Sequence, residues 1–168
     1  MTFTFFLRWA HDTWLGHMAR DIWWFFTAGL IIHFTGLCLL MGAMLIIDLR
    51  VLGFAKNIPV ASVLGFLPWA LLGFGMNLAT GIMFFTFDPF AYWHNPAFKI
   101  KLSLIVLAGL NALWFALLQH RKALTPDSGT APGMFTRVSA GISLGLWILV
   151  IVAGRMIVAF QGSPNLFY

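Results

Sequence analysis

Four long apolar runs leave this chain almost no choice of solvent. The first, "WWFFTAGLIIHFTGLCLLMGAMLIIDLR" at residues 23–50, carries charge only at its far end, on Asp48 and Arg50. A helix needs roughly 20 apolar residues to cross the hydrocarbon core of a bilayer. Four stretches reach that length, at about residues 22–47, 60–87, 98–118 and 138–160. With no water in the core to bond a free peptide group, each must be a helix that satisfies its own backbone. Composition agrees: 61% of the residues are hydrophobic and 9% charged, against roughly 25% charged in a soluble domain. The expected fold is all-α, a four-helix transmembrane bundle in a single integral membrane domain over residues 1–168. Pro59 suits the first turn of the second run, and Pro68 predicts a kink within it.

The ends and loops fit the same frame. "MTFTFFLRWAHDTWLGHMARD" lacks the basic start, apolar core and small-residue cleavage site of a signal peptide. Phe3, Phe6, Leu7, Ala10, Trp14 and Met18 recur at helical spacing, with Arg8 and Asp12 opposite, so an interfacial amphipathic helix is predicted over residues 3–20. Trp23, Trp24, Tyr92, Trp93, Phe160, Phe167 and Tyr168 crowd the ends of the runs as an aromatic belt. The net charge of +5 comes from only ten basic and five acidic side chains, which points to basic loops at lipid headgroups and not to nucleic acid. Arg50, Lys56, Arg121, Lys122 and Arg137 lie on one side, and Arg8, Arg20 and Lys99 on the other once the embedded Lys101 and Arg155 are set apart. That bias puts both termini outside, in the periplasm if the membrane is a bacterial inner membrane. Cys38, the single cysteine, reads as a small packing residue.

Depth within the runs carries the functional expectation. His33 lies eleven residues below Ile22, and Asn77 ten from Phe87. Lys101 stands three residues inside the third run and Arg155 five from Phe160. Two cations therefore sit nearer the outer surface than one imidazole and one amide, and that half of the membrane holds no embedded carboxylate. Charged groups at depth face the bundle interior and take a partner there. Haem b is a fitting partner: its iron takes imidazole, and its propionates are anions. On this reading His33 is the axial metal ligand, Lys101 and Arg155 hold propionates, and Asn77 is a distal or second-shell group. Gly29 and Gly36 beside His33, and Gly73 and Gly81 beside Asn77, leave smooth faces that admit a flat ring or another helix and would allow a homo-oligomer. No second buried histidine offers a sixth ligand. His11, His17, His94 and His120 read as solvated, and Asp48 with Arg50 as a helix-end ion pair or a contact to the next loop.

Two other classes compete. Met41, Met44, Met76 and Met83 supply thioethers for Cu(I), so a copper or small-solute transporter is one alternative; a cofactor-free membrane anchor or assembly subunit is the other. The haem reading predicts electron transfer between the quinone or lipid phase and an outer-face redox protein.

"IIHFTGLCLLMGAMLIIDLRVLG", "PWALLGFGMNLATGIMFF", "NPAFKIK" and "AGRMIVAF" occur in this order along nearly the whole chain. Together they resemble a bacterial four-span integral membrane family of unknown function. More distantly the layout is similar to the haem-binding, four-helix protoporphyrinogen oxidase and to the copper-resistance protein D family. The oxidase resemblance implies roles for His33, Arg50 and Lys101. It departs at "AGLNALWF", where the oxidase has a further histidine and this chain has Asn111, and it lacks the oxidase's lysine-proline in the last span. That catalytic activity is therefore not carried over.

Overall fold

A computed structural model describes residues 2–123 and 133–161. Among them the secondary structure is entirely helical: α1 (Thr2–His11), α2 (Trp14–Asp21), α3 (Phe25–Leu52), α4 (Val60–Leu64), α5 (Leu67–Phe87), α6 (Pro89–His94), α7 (Pro96–Ala123) and α8 (Met134–Gln161). Four stretches have the length and apolarity of membrane spans: α3, α4 with α5, the first part of α7, and α8. The predicted all-α four-helix transmembrane architecture is what the chain forms. The helices overrun the sequence-derived limits, α3 reaching Leu52 and α7 beginning at Pro96. The basic residues Arg121 and Lys122 fall on α7 without described side chains, as does His120, while the polar loop "TPDSGTAP", Phe167 and Tyr168 lie outside the described residues.

The helix ends obey local chemistry. Gly53 closes α3 in the left-handed region at φ 112°, and the Phe54 amide reaches back to the Leu49 carbonyl. Glycine adopts that conformation without a Cβ penalty. Asn95 precedes Pro96 at the start of α7; its Oδ1 accepts from the Ala97 amide at 3.0 Å. Its Nδ2 donates to the Ile157 carbonyl at 2.9 Å, tying the α6–α7 corner to α8.

Two expectations need correction. The predicted interfacial helix over residues 3–20 is two helices. Thr13 ends one and starts the other: its hydroxyl donates to the Ala10 carbonyl at 2.8 Å and accepts from the Gly16 amide at 3.2 Å. An N-cap threonine satisfies a first-turn amide and thereby redirects the chain. The second span is likewise not one helix kinked at Pro68. It breaks after Leu64, and Pro68 falls in the first turn of α5, where its missing N–H has no partner to lose.

Packing runs from α5 to α3, from α3 to α8, and from α8 to α7; α5 and α7 make no comparably close approach. One cluster nevertheless joins all four: Leu40 and Ala43 of α3, Ala70 of α5, Ala108 of α7, and Trp147 and Val150 of α8. The perimeter is apolar. Ile31, Phe34, Leu71 and Val106 are each about 60% exposed, an arrangement that water penalises and lipid accepts. Cys38 belongs to this outward surface and not to the packed interior. At the end that carries the starts of α3 and α7 and the ends of α5 and α8, here the terminal face, α1 and α2 dock through the buried Leu7, Ala10, Gly16 and Ala19.

Candidate functional site

His33 sits eight residues into α3, about 12 Å below its start at 1.5 Å per residue. Its Nδ1 is 2.7 Å from the Thr80 hydroxyl of α5. Thr80 in turn lies 2.6 Å from the Met76 carbonyl. A threonine has one proton to give, and the Met76 carbonyl takes it. Thr80 therefore accepts from His33, and Nδ1 bears the hydrogen of the neutral imidazole. The lone pair is left on Nε2, on the side of the ring turned from Thr80. No partner for Nε2 occurs among the described residues. Phe84 packs against the ring at 5.3 Å between centroids. This is the arrangement in which histidines bind metals: one nitrogen fixed by a hydrogen bond, the other free.

Lys101 stands five residues into α7, about 7.5 Å below its start and so nearer the terminal face than His33. Its Nζ and neighbouring methylenes lie along Gly154 of α8, where a Cβ would meet Nζ at 3.5 Å. Lys101 is also the charged side chain close enough to act electrostatically on His33. It is half-buried and has no acidic partner among the described residues. Arg155, the next residue on α8, is exposed. The structure thus joins His33 to Thr80, leaves Lys101 near enough to act on the imidazole through its charge, and puts Arg155 on the perimeter.

Asn77 is half-buried, but its Nδ2 donates to the Gly73 carbonyl one turn back at 2.9 Å. It braces the α5 backbone and does not bond His33. Thr80, three residues further on the same face, is the partner that sequence reasoning missed. The signal was present, since positions three apart on a helix share a face.

Helix packing occupies the glycine faces at Gly29, Gly36 and Gly73, while Gly81 has open space beside it. A Cβ at Gly73 would stand 2.5 Å from the Gly36 carbonyl oxygen and 2.6 Å from the Leu40 amide nitrogen. Gly29 is covered by the end of the Met83 side chain. These residues let α3 and α5 approach backbone to backbone, and that side of His33 has no room for a planar guest. The methionines are equally committed: Met41 and Met44 pack on the four-helix cluster and Met83 on a second with Ala19 and Phe84. No group of three or more histidine, cysteine, aspartate or glutamate residues gathers among the described residues.

His11, His17 and His94 lie at the terminal face. His11 is 2.9 Å from Asp12, and this bond holds the exposed Asp12 carboxyl below the usual carboxylate range. His17 is 3.9 Å from Asp21. His94 is exposed and bonds the Phe90 carbonyl of its own helix at 2.8 Å. Arg20 is more integrated than its sequence context suggests. It donates to the Thr86 carbonyl at 3.0 Å and to the His11 carbonyl at 2.6 Å, stapling α1 and α2 to the end of α5. A cleft of about 370 Å³ opens beside it, lined by Arg8, His11, Asp12, Phe87, Asp88 and Phe90, distant in depth from His33.

Of the two expectations for this helix end, Arg50 and Asp48 do not form the ion pair, and Arg50 makes the contact to the next loop. Arg50 donates to the carbonyls of Ile58 and of Lys56, holding the α3–α4 loop. Asp48, 3% exposed, turns into the bundle instead. Comparison of the chain with protein-family models, with curated proteins and with solved structures finds no match to any of them.

Proposed function

We propose that this is an integral membrane protein that binds haem b through Nε2 of His33 and passes single electrons within the bilayer. One observation carries the reading: a half-buried imidazole with its tautomer set by Thr80 and, among the described residues, no partner for Nε2, under the electrostatic influence of a half-buried lysine that lacks an acidic mate among the same residues. The donor chemistry suits an iron porphyrin, since imidazole nitrogen ligates the metal and a lysine ammonium pairs with a propionate. Because the glycine side of α3 is filled by α5, the ring would approach His33 from the side away from α5. Bound haem supplies one-electron chemistry. The chain's own residues orient the ligand (Thr80), balance the propionate charge (Lys101) and exclude water through the apolar perimeter. Arg155, exposed one residue beyond Gly154, would reach a second propionate only at the rim, and Asn77 takes no part. A quinone or a redox protein on the terminal face is the proposed exchange partner, and a bacterial inner membrane with periplasmic termini the proposed setting.

The test is the absorption spectrum of protein purified in detergent, oxidised and then reduced with dithionite. A b-type spectrum is expected in the wild type and lost in His33→Ala, with Lys101→Ala retaining less haem. A b-type spectrum unchanged in His33→Ala overturns the ligand assignment. Colourless protein from haem-replete cells, folded and unable to take up added haemin, overturns the reading. That last result would favour a cofactor-free anchor or assembly subunit, to which the filled glycine faces of α3 and α5 are well suited.

A further inference from the structure

Asp48 is unlike the other carboxylates among the described residues. Asp12 and Asp21 are exposed and Asp88 caps α6, whereas Asp48 is 3% exposed on a membrane-spanning helix. Its Oδ2 is buried and receives no hydrogen bond. Ser143 of α8 is its polar neighbour. Trp147, one turn further along α8, is also buried, and its Nε1 has no acceptor. Side chains lean toward the N-terminus of their own helix. The helices α3 and α8 are antiparallel, so Asp48 and Trp147 lean toward one another at the level of Ser143. An unbonded buried acceptor on α3 and an unbonded buried donor on α8 therefore lie along the same helix seam, about one turn apart.

No charged side chain among the described residues pairs with Asp48. Arg50 is engaged by the loop carbonyls. The segments packed around this stretch, residues 140–147 of α8 and 60–64 of α4, contain no charged residue, and α5 has none over residues 67–87. A bare carboxylate there would cost several kcal/mol, and a neutral carboxylic acid far less. A sodium ion needs more oxygen ligands than one carboxylate and one hydroxyl provide.

A file of hydroxyl residues lies on α8. Thr136, Ser139 and Ser143 are each at most 4% exposed and stand at positions i, i+3 and i+7 on one face, starting two residues from the helix end. Asn111 of α7 braces the middle step: Ser139 donates to its Oδ1, and its Nδ2 donates to the Ser139 carbonyl, both at 3.0 Å. One helical turn is about 5.4 Å, close to twice a hydrogen-bond length of about 2.8 Å, a spacing that one bridging water would span between successive hydroxyls.

We infer that Asp48 is an intramembrane proton-binding site, served from the face opposite the termini by the hydroxyl file Thr136–Ser139–Ser143. The proton resides on the carboxyl, the Trp147 indole donates to the site's other oxygen or to a bridging water, and exchange with bulk water runs along the file. This inference is independent of the haem reading, since it uses none of the same residues.

Infrared spectroscopy of the full chain in liposomes tests it. The wild type is expected to show a neutral-carboxyl band that shifts on transfer to deuterium oxide and is missing in Asp48→Asn. Asp48→Glu, which keeps the acid and moves the band, serves if the amide impairs folding. Thr136→Val and Ser139→Ala are expected to slow the shift about tenfold, the ratio that losing one hydrogen bond along the path produces. Absence of any neutral-carboxyl band assignable to residue 48 overturns the proton site. An exchange rate unchanged in both hydroxyl variants overturns the file.

Discussion

The tautomer of His33 turns on a single neighbour. Thr80 can accept from Nδ1 only because its own proton is given to the Met76 carbonyl. Thr80→Val removes the acceptor while keeping the shape. We expect it to cost about 1–2 kcal/mol, the penalty of leaving a partly buried donor unsatisfied, read as a lower unfolding midpoint in detergent. In haem-loaded protein the same change would broaden the Soret band as the imidazole loses its fixed orientation. The glycines next to it separate by what they touch. Gly73→Ala drives a methyl into the backbone of Gly36 and Leu40, which cannot move aside, so a loss of about 1–3 kcal/mol is expected. Gly29→Ala meets the flexible end of Met83, which can swing, and thermal unfolding should register a loss at least twofold smaller.

Among the elements, α1 and α2 show how a few polar bonds dock an amphipathic segment. Leu7, Ala10 and Ala19 bury one face, and Arg20 fixes the angle through three carbonyls, those of His11, Thr86 and Phe87. Arg20→Ala should therefore release both helices together. Amide exchange across residues 3–21 is expected to rise about tenfold, for a loss of about 1.5 kcal/mol, while exchange in α3 and α5 is unchanged. Gly16 leaves no latitude either, since a Cβ there would lie 2.6 Å from the His11 carbonyl oxygen and 2.8 Å from that of Thr86. The two-helix form of this segment was not read from its periodicity because Leu7, Ala10 and Met18 keep a similar spacing across the break. The Thr13 cap was visible in the sequence, but a threonine followed three residues later by glycine is a weak start signal without the docking surface of α5.

For the whole molecule, an apolar perimeter around a small-residue interior inverts the distribution of a soluble bundle. Cys38 makes this measurable. It lies midway along α3 and is exposed on the protein surface, hence toward lipid. A charged maleimide should leave it unmodified in intact membranes and label it fully after denaturation in dodecyl sulfate. A charged reagent does not enter the hydrocarbon in which the side chain lies. Labelling of the folded protein in sealed vesicles would place Cys38 in water and contradict the span assignment for α3. The uneven packing, tight between α3 and α5 and slack between α5 and α7, is the second property of the whole that no single helix reveals.

What the sequence by itself determined follows from hydrophobicity and chain length. Four apolar runs require four helices in lipid, because a backbone without water must bond to itself. The polar residues within those runs, His33, Asp48, Asn77 and Lys101, were likewise legible as exceptions that need partners. Only the tertiary structure decided which partners they take. Depth along a helix can be counted from sequence, but facing direction depends on how each helix is rotated against its neighbours. That rotation is set by contacts such as Gly36 on Gly73, far apart in the chain. So Lys101 turned inward and Arg155 outward, Asn77 bonded its own helix while Thr80 bonded His33, and Asp48 left Arg50 for Ser143. In a bilayer the hydrophobic effect no longer orients a helix, so close packing and a few polar contacts choose its rotation.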